Sequence, residues 1–77
     1  MDKYIGIDVH AASCTIAVVD ARGRQVKSLA DRAYPAGRHS VVWAGDSDAG
    51  TPLGSGIYFV RIQAGDFAAR HKVMLTR

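Results

Sequence analysis

Glutamate is absent from this chain of 77 residues, and all seven of its acidic residues are aspartate. Aspartate is favoured in turns and helix caps, whereas glutamate is favoured inside helices. Proline is also scarce, with two residues against eight glycines. These absences argue against a helix-rich fold and favour strands that are joined by tight turns.

Cysteine and long apolar runs are equally scarce. The single cysteine, Cys14, has no partner for an internal disulfide and lies among apolar residues, where a buried, unreactive thiol is expected. No segment approaches the roughly 20 apolar residues that a membrane-spanning helix needs, and the first residues lack the pattern of a signal peptide. We therefore expect neither a membrane span nor a signal peptide in this sequence.

The charge and the length set the limits of function. The net charge is +3 at pH 7, but lysine and arginine are scattered without a run of neighbours, so nucleic-acid binding is permitted and not indicated. A protein partner or self-association is the favoured interaction. A chain of this size buries only about 60% of its unfolded surface, so we expect a single domain over residues 1–77.

Apolar residues alternate with a period of two, and no segment has helical spacing. Ile5, Ile7 and Val9 are expected on one face of a first strand, opposite Gly6, Asp8 and His10. Further strands are predicted at 14–19, 24–29, 38–43, 57–63 and 67–77, with turns at 20–23 and 64–66, a loop at 30–37, and a turn-rich segment at 44–56 that holds at most a short edge strand around 51–53. Six or seven short strands predict a small all-β antiparallel sandwich.

A family resemblance covers residues 20–77. Its features are "PAGRH" (35–39), a tryptophan before Gly45, the Asp48 to Gly50 turn, "SGIYFVRI" (55–62) and "AGDF" (64–67). This pattern resembles the C-terminal Ig-like domain of flagellar hook-capping (FlgD-type) and other secreted or surface bacterial proteins. The resemblance implies a non-catalytic structural, assembly or surface-attachment module. Ala44 stands where the family commonly has aspartate.

Several residues are expected to hold this sandwich together. The spacing of Gly56, Tyr58 and Val60 is typical of a tyrosine corner, in which the phenol bonds to backbone near the start of a strand. Trp43 and Tyr58 are predicted to pack in the core from two strands. Gly45, Gly50 and Gly56 are the structural glycines of the segment.

The first 22 residues resemble a different family. "YIGIDVH" (4–10) is similar to the first strand of insertion-sequence transposases with a DEDD-type, RNase-H-like nuclease domain, in which Asp8 would correspond to the first catalytic acid. Two-metal phosphoryl transfer needs several carboxylates around cations about 4 Å apart. The chain after the turn follows the Ig-like pattern, so the partners of Asp8 are missing. We interpret the chain as a chimera, natural or engineered, in which a transposase-like hairpin replaces the first strands of an Ig-like domain, and we expect no enzymatic activity. The alternative is a transposase fragment that binds metal and nucleic acid through Asp8.

Other metal signals are weaker. Asp46 and Asp48 open an Asp-x-Asp loop, but Thr51 and Ile57 stand where a calcium-binding EF-hand requires glycine and glutamate. A plain Asx turn is the favoured interpretation. The histidines His10, His39 and His71 lack paired-ligand spacing, so zinc is not predicted. No cofactor is expected.

Overall fold

The computed structural model describes residues 3–9 and 12–76, and within them the protein is all-β. Six strands follow in order: β1 (Lys3–Val9), β2 (Ala12–Asp20), β3 (Gln25–Tyr34), β4 (Gly37–Trp43), β5 (Gly56–Ala64) and β6 (Phe67–Leu75). All pairs are antiparallel. One sheet contains β1 and β4, and the other has the order β3-β2-β5-β6. The predicted small antiparallel Ig-like sandwich is confirmed.

The core lies between the two sheets. Trp43, Ile16 and Val60 are fully buried, and Cys14 is 1% exposed, as expected for a thiol among apolar residues. From the smaller sheet, β1 contributes Ile5 and Ile7, β4 contributes Val41 and Trp43, and all four pack in the same apolar cluster. The alternation predicted for β1 is confirmed where side chains are described, because Gly6 and Asp8 are exposed. The side chain of Val9 and all of His10 lie outside the described residues.

The first two strands do not form a hairpin. β1 pairs with β4 from Lys3↔Trp43 to Val9↔Gly37, whereas β2 pairs with β3 and β5 in the other sheet. The hairpin predicted for residues 1–22 is therefore wrong. Crossing from one sheet to the other lets both strands turn an apolar face toward the same core, which a hairpin within one sheet does not require.

The third strand is longer than predicted. Residues 30–34 were expected in a loop, but they continue β3 and pair with the first half of β2, ending at Ala12↔Tyr34. The prediction was wrong because β2 starts at Ala12 and so offers partners for these residues. A register shift between Ile16 and Ala17 lets the ladder continue through the irregular apolar spacing of the segment. The chain leaves the strand at Pro35, which has no N–H to donate.

Both predicted short turns are confirmed. Between β2 and β3, Asp20 Oδ1 accepts hydrogen bonds from the N–H groups of Arg22 and Arg24, each at 2.9 Å, and Gly23 has a φ of 87°. Between β5 and β6, the loop is only Gly65 and Asp66, and Gly65 has a φ of 58°. A two-residue loop with glycine first is the II′ hairpin geometry.

Candidate functional site

Asp8 lies on the solvent side of β1. Its side chain is 76% exposed, and Oδ1 accepts a bond from the Arg38 Nε at 3.3 Å across the strand pair. The structure therefore places the carboxylate in an exposed ion pair. Within residues 3–9 and 12–76, no group of three or more His, Cys, Asp or Glu side chains is arranged to hold a metal ion.

Asp46 and Asp48 reach toward β3. Asp46 Oδ2 lies 3.5 Å from the Lys27 Nζ, and both side chains of this pair are about three-quarters buried, with exposures of 26% and 24%. The Asp46 Oδ1 is buried and has no hydrogen-bond partner among the described residues. Asp48 Oδ1 accepts a bond from the Ser28 N–H at 3.0 Å. The two carboxylates therefore attach the 46–52 loop to β3.

The prediction of an Asx turn at Asp46–Gly50 is wrong, because the side chain that accepts a backbone bond within the turn is a serine and not an aspartate. The turn is built on Ser47, whose carbonyl accepts a bond from the Gly50 N–H at 2.9 Å and whose Oγ accepts one from Thr51 N–H at 3.3 Å. The edge segment expected around Thr51–Leu53 is reduced to a single bridge between Asp46 and Pro52. The aspartates on either side of Ser47 are engaged by β3, which leaves the serine to organise the turn.

Trp43 and Tyr58 meet beneath this loop. Their ring centroids are 5.3 Å apart in an edge-to-face arrangement, and Trp43 Nε1 donates to the Asp46 carbonyl at 2.9 Å. The Tyr58 hydroxyl donates to the Gly54 carbonyl at 2.8 Å. This is the backbone bond that a tyrosine corner requires. Trp43 is fully buried and Tyr58 is half-buried, so the tryptophan is the deeper of the two.

The glycines act where the chain turns sharply. Gly45 has a φ of 75° and Gly50 a φ of 81°, a region that L side chains rarely adopt. Gly45 is also buried. Its carbonyl accepts a bond from the Leu53 N–H at 2.9 Å. Ala44 is exposed, and the turn is braced instead by bonds from Trp43, Lys27 and Leu53. Gly56 begins β5.

The carboxylate of Asp20 is stabilised by its turn. The Arg24 N–H bond contributes most and the Arg22 N–H bond adds to it, so the pKa of Asp20 lies below its ordinary value of 3.8. The nearby arginine charges act in the same direction, and desolvation opposes them. The group is a structural acceptor that closes the β2–β3 hairpin.

Two features at the β6 side of the molecule were missed from the sequence. The first is a groove of about 260 Å³ between β1 and β6, lined by Gly6, Ile7, Asp8, Ile62, Phe67, Ala69 and His71. The second, here called the basic strip, consists of Arg61, Arg70 and Lys72, which share the outer face of the larger sheet. The scattered cations of the sequence are thus gathered by strand pairing. The closely spaced Arg70, His71 and Lys72 were the available signal.

The remaining histidine has a local role. His39 Nε2 lies 2.7 Å from the Pro35 carbonyl oxygen, and its ring is 5.0 Å from that of Tyr34. These contacts close the short connection between β3 and β4. His39 and His71 thus occupy separate parts of the fold.

Comparison with protein families identifies the domain. The model of the FlgD Ig-like domain matches residues 4–66. The chain belongs to the FlgD Ig-like domain family. The match to this FlgD Ig-like domain includes most of β1 and residues 20–66 of the segment that carried the resemblance. No curated protein and no solved structure matches the chain significantly. Within the described residues, no helix is long and apolar enough to cross a membrane.

Proposed function

We propose that this FlgD Ig-like domain is a non-catalytic module that supports the assembly or surface attachment of a larger protein through contact with another protein. The observation that carries the proposal is the family match over residues 4–66, which spans most of the sandwich. The arrangement of Asp8 agrees with it, because its exposed carboxylate is paired with Arg38. The tightly packed centre around Trp43 is suited to a scaffold that presents its surface to a partner.

The test separates this module from a metal-dependent nuclease. The full chain and the Asp8→Asn variant are incubated with DNA in the presence of magnesium or manganese, and their thermal unfolding is followed with and without the metals. We expect no cleavage, no stabilisation by metal and the same unfolding midpoint for both proteins. Cleavage that Asp8→Asn abolishes would replace the module by the transposase-fragment alternative.

A second test addresses assembly directly. The immobilised chain is offered envelope and flagellar fractions, and each captured protein is purified and titrated against the free chain. A saturable complex with a purified protein, competed by soluble domain, is the expected result. If every captured protein fails to bind once purified, the assembly role is wrong.

The proposal also includes a chimeric origin. The proposal rests on two resemblances, of residues 1–22 to the first strands of the transposases and of residues 20–77 to the FlgD-type domain. If the two parts were joined, the first should be exchangeable. Replacing residues 3–20 by the matching strands of another FlgD Ig-like domain should yield a cooperatively folding protein of equal or higher stability. Failure of several such replacements to fold would contradict separate origins.

A further inference from the structure

Among the described residues, the larger sheet is covered along the first part of its β3 edge, and no strand lies beyond its β6 edge. At the start of β3, the Asp48 N–H donates to the Val26 carbonyl at 3.0 Å and Asp48 Oδ1 accepts from the Ser28 N–H, so the 46–52 loop occupies outer groups of the first part of that strand. At the other side the sheet ends with β6, nine residues long. Unpaired edge strands are templates for a further strand.

The hairpin geometry defines which groups β6 offers. Because the β5–β6 loop has two residues, Ala64 and Phe67 form the closing hydrogen-bonded pair, and the antiparallel ladder then alternates along the strand. The N–H and C=O groups of Ala68, Arg70, Lys72 and Met74 therefore point to the outer edge. Backbone groups alternate between the two sides of β2 in the same way. There the Asp20 N–H points to the β3 side and donates to the Arg24 carbonyl at 2.8 Å.

The side chains on the two faces of β6 differ in chemistry. On the outer face, Arg70 and Lys72 are exposed, and Arg70 lies directly opposite Arg61 of β5. Like charges in that position repel each other. The guanidinium of Arg70 is held over the Phe59 ring at 4.9 Å, and Arg61 is held by Gln25 at 3.2 Å.

On the inner face, the small side chain of Ala69 and that of His71 border the groove. The groove continues to Ile7 of β1 and Ile62 of β5, which form its apolar floor. Phe67, at the start of β6, is 57% exposed on this face, whereas Met74 is 60% exposed on the outer face with Arg70 and Lys72. A strand added beside β6 would thus place one set of side chains beside cations and the alternate set against an apolar groove.

A second copy of this chain is a poor occupant. In an antiparallel β6–β6 pair centred on residues 70–72, Arg70 would face Lys72, or one of these residues would face itself. Each register sets cations directly opposite each other, which is destabilising. An acidic strand would instead relieve the repulsion already present between Arg61 and Arg70.

We propose that β6 accepts an extended segment of another protein as a fifth strand, with acidic side chains beside Arg70 and Lys72 and aliphatic side chains over the groove. This inference rests on the proposed function as a protein-binding module and names the chemistry of its partner. Backbone bonds to the outer groups of β6 supply affinity, and the alternating acidic and aliphatic pattern supplies specificity.

The probe is a synthetic peptide of the same length as β6, made of alternating glutamate and valine, with a lysine–valine peptide as its matched control. Each is titrated into the 15N-labelled full chain and followed by amide chemical shifts. We expect saturable shifts that are concentrated in β6 and largest at its outward-facing amides. The lysine–valine peptide should produce none.

Two variants of one residue separate charge from backbone pairing. Lys72→Ala and Lys72→Pro lose the same charge, but only proline removes an outward N–H, which an edge strand tolerates. Lys72→Ala should lower the affinity for the glutamate–valine peptide several-fold, and Lys72→Pro should lower it at least a further tenfold. Arg22→Ala, which removes a cation outside the basic strip, should leave binding unchanged. If Lys72→Pro does not fold, Arg70→Ala with Lys72→Ala should lower affinity more than either alone.

Several results would overturn the inference: equal binding of both peptides, no binding, shifts centred away from β6, equal affinity of the folded Lys72→Pro and Lys72→Ala proteins, or dimerisation through β6 in sedimentation. The proposed function fails on a different readout, which is metal-dependent DNA cleavage that requires Asp8. If the peptide does not bind and no DNA is cleaved, the proposal of a fifth strand at β6 is wrong, but the proposed function as a non-catalytic module is not contradicted.

Discussion

The rings of Tyr58 and Trp43 meet in an edge-to-face arrangement with 5.3 Å between their centroids, and this contact joins β5 of the larger sheet to β4 of the smaller one. Each residue also fixes backbone of the intervening segment, Trp43 at Asp46 and Tyr58 at Gly54. The pair therefore connects sheet packing with the shape of the 44–55 segment.

Removing the hydroxyl of Tyr58 tests the corner. Tyr58→Phe should keep the ring contact and lose the Gly54 bond, at a cost of about 1 kcal/mol in the free energy of unfolding. Denaturant titration measures this loss. The same substitution at Tyr4, which is 74% exposed, is the matched control and should leave the midpoint unchanged. Equal unfolding midpoints for wild type and Tyr58→Phe would show that the hydroxyl bond does not contribute to stability.

Truncating Trp43 tests the core. Loss of a buried aromatic costs about 3–5 kcal/mol, and a small domain has only about 5 kcal/mol or somewhat more in total. Trp43→Ala should therefore unfold much of the population at room temperature, as seen by amide dispersion. Val42→Ala, at the neighbouring 47% exposed position, is the control and should keep the fold. Tyr58→Ala should fall between them because Tyr58 is half-buried. A wild-type midpoint for Trp43→Ala would contradict this packing.

The two ion pairs should differ in energy. Lys27→Met leaves the partly buried carboxylate of Asp46 without its charged partner, and one oxygen of that carboxylate already has no hydrogen-bond partner. We therefore expect a loss of about 1–3 kcal/mol in the free energy of unfolding. Arg38→Met removes a pair whose side chains are 84% and 76% exposed, and its effect should stay within about 0.5 kcal/mol. Thermal and denaturant unfolding of both variants provide the comparison. Equal losses would show that burial does not set their contributions.

The attachment of the loop to β3 can be measured at Ser28. Asp48→Ala removes the acceptor for the Ser28 N–H, so hydrogen exchange of that amide should accelerate and stability should fall by about 0.5–1.5 kcal/mol. Asp31→Ala, which removes an exposed aspartate from the strand that contains Ser28, is the control. If the hydrogen-exchange rate of the Ser28 amide is unchanged in Asp48→Ala, the Asp48 carboxylate does not protect that amide.

The pH dependence follows from Asp20. Its pKa is lowered in the folded state, so the charged form stabilises the protein at pH values above the unfolded value of 3.8. That contribution should decrease as pH falls from about 4 through the lower folded pKa. Asp20→Asn keeps an acceptor oxygen but does not titrate, so its unfolding midpoint should depend less steeply on pH in this range. Parallel profiles for the two proteins would rule out Asp20 as a source of acid sensitivity.

The sequence by itself determined the all-β class, the approximate positions of the six strands and the two short turns at 20–23 and 64–66. Alternation of apolar residues located Ile5 and Ile7 on the inner face of β1, and the local chemistry of Asp20, Gly23 and Gly65 specified two turns. The corner bond of Tyr58 was also predictable, because its acceptor is only four residues away. Such features depend on neighbours in sequence and on backbone preferences, which a single chain displays directly.

Only the tertiary structure decided which strands are neighbours when no short turn joins them. Alternation with a period of two states which face of a strand is buried, but it is equally satisfied by pairing β1 with β2 or with β4. The partners of Asp48 and Lys27 lie about twenty residues away, and the basic strip exists because pairing sets Arg61 opposite Arg70. These contacts depend on how two sheets share one core, a choice made by packing over the whole domain rather than by any local pattern.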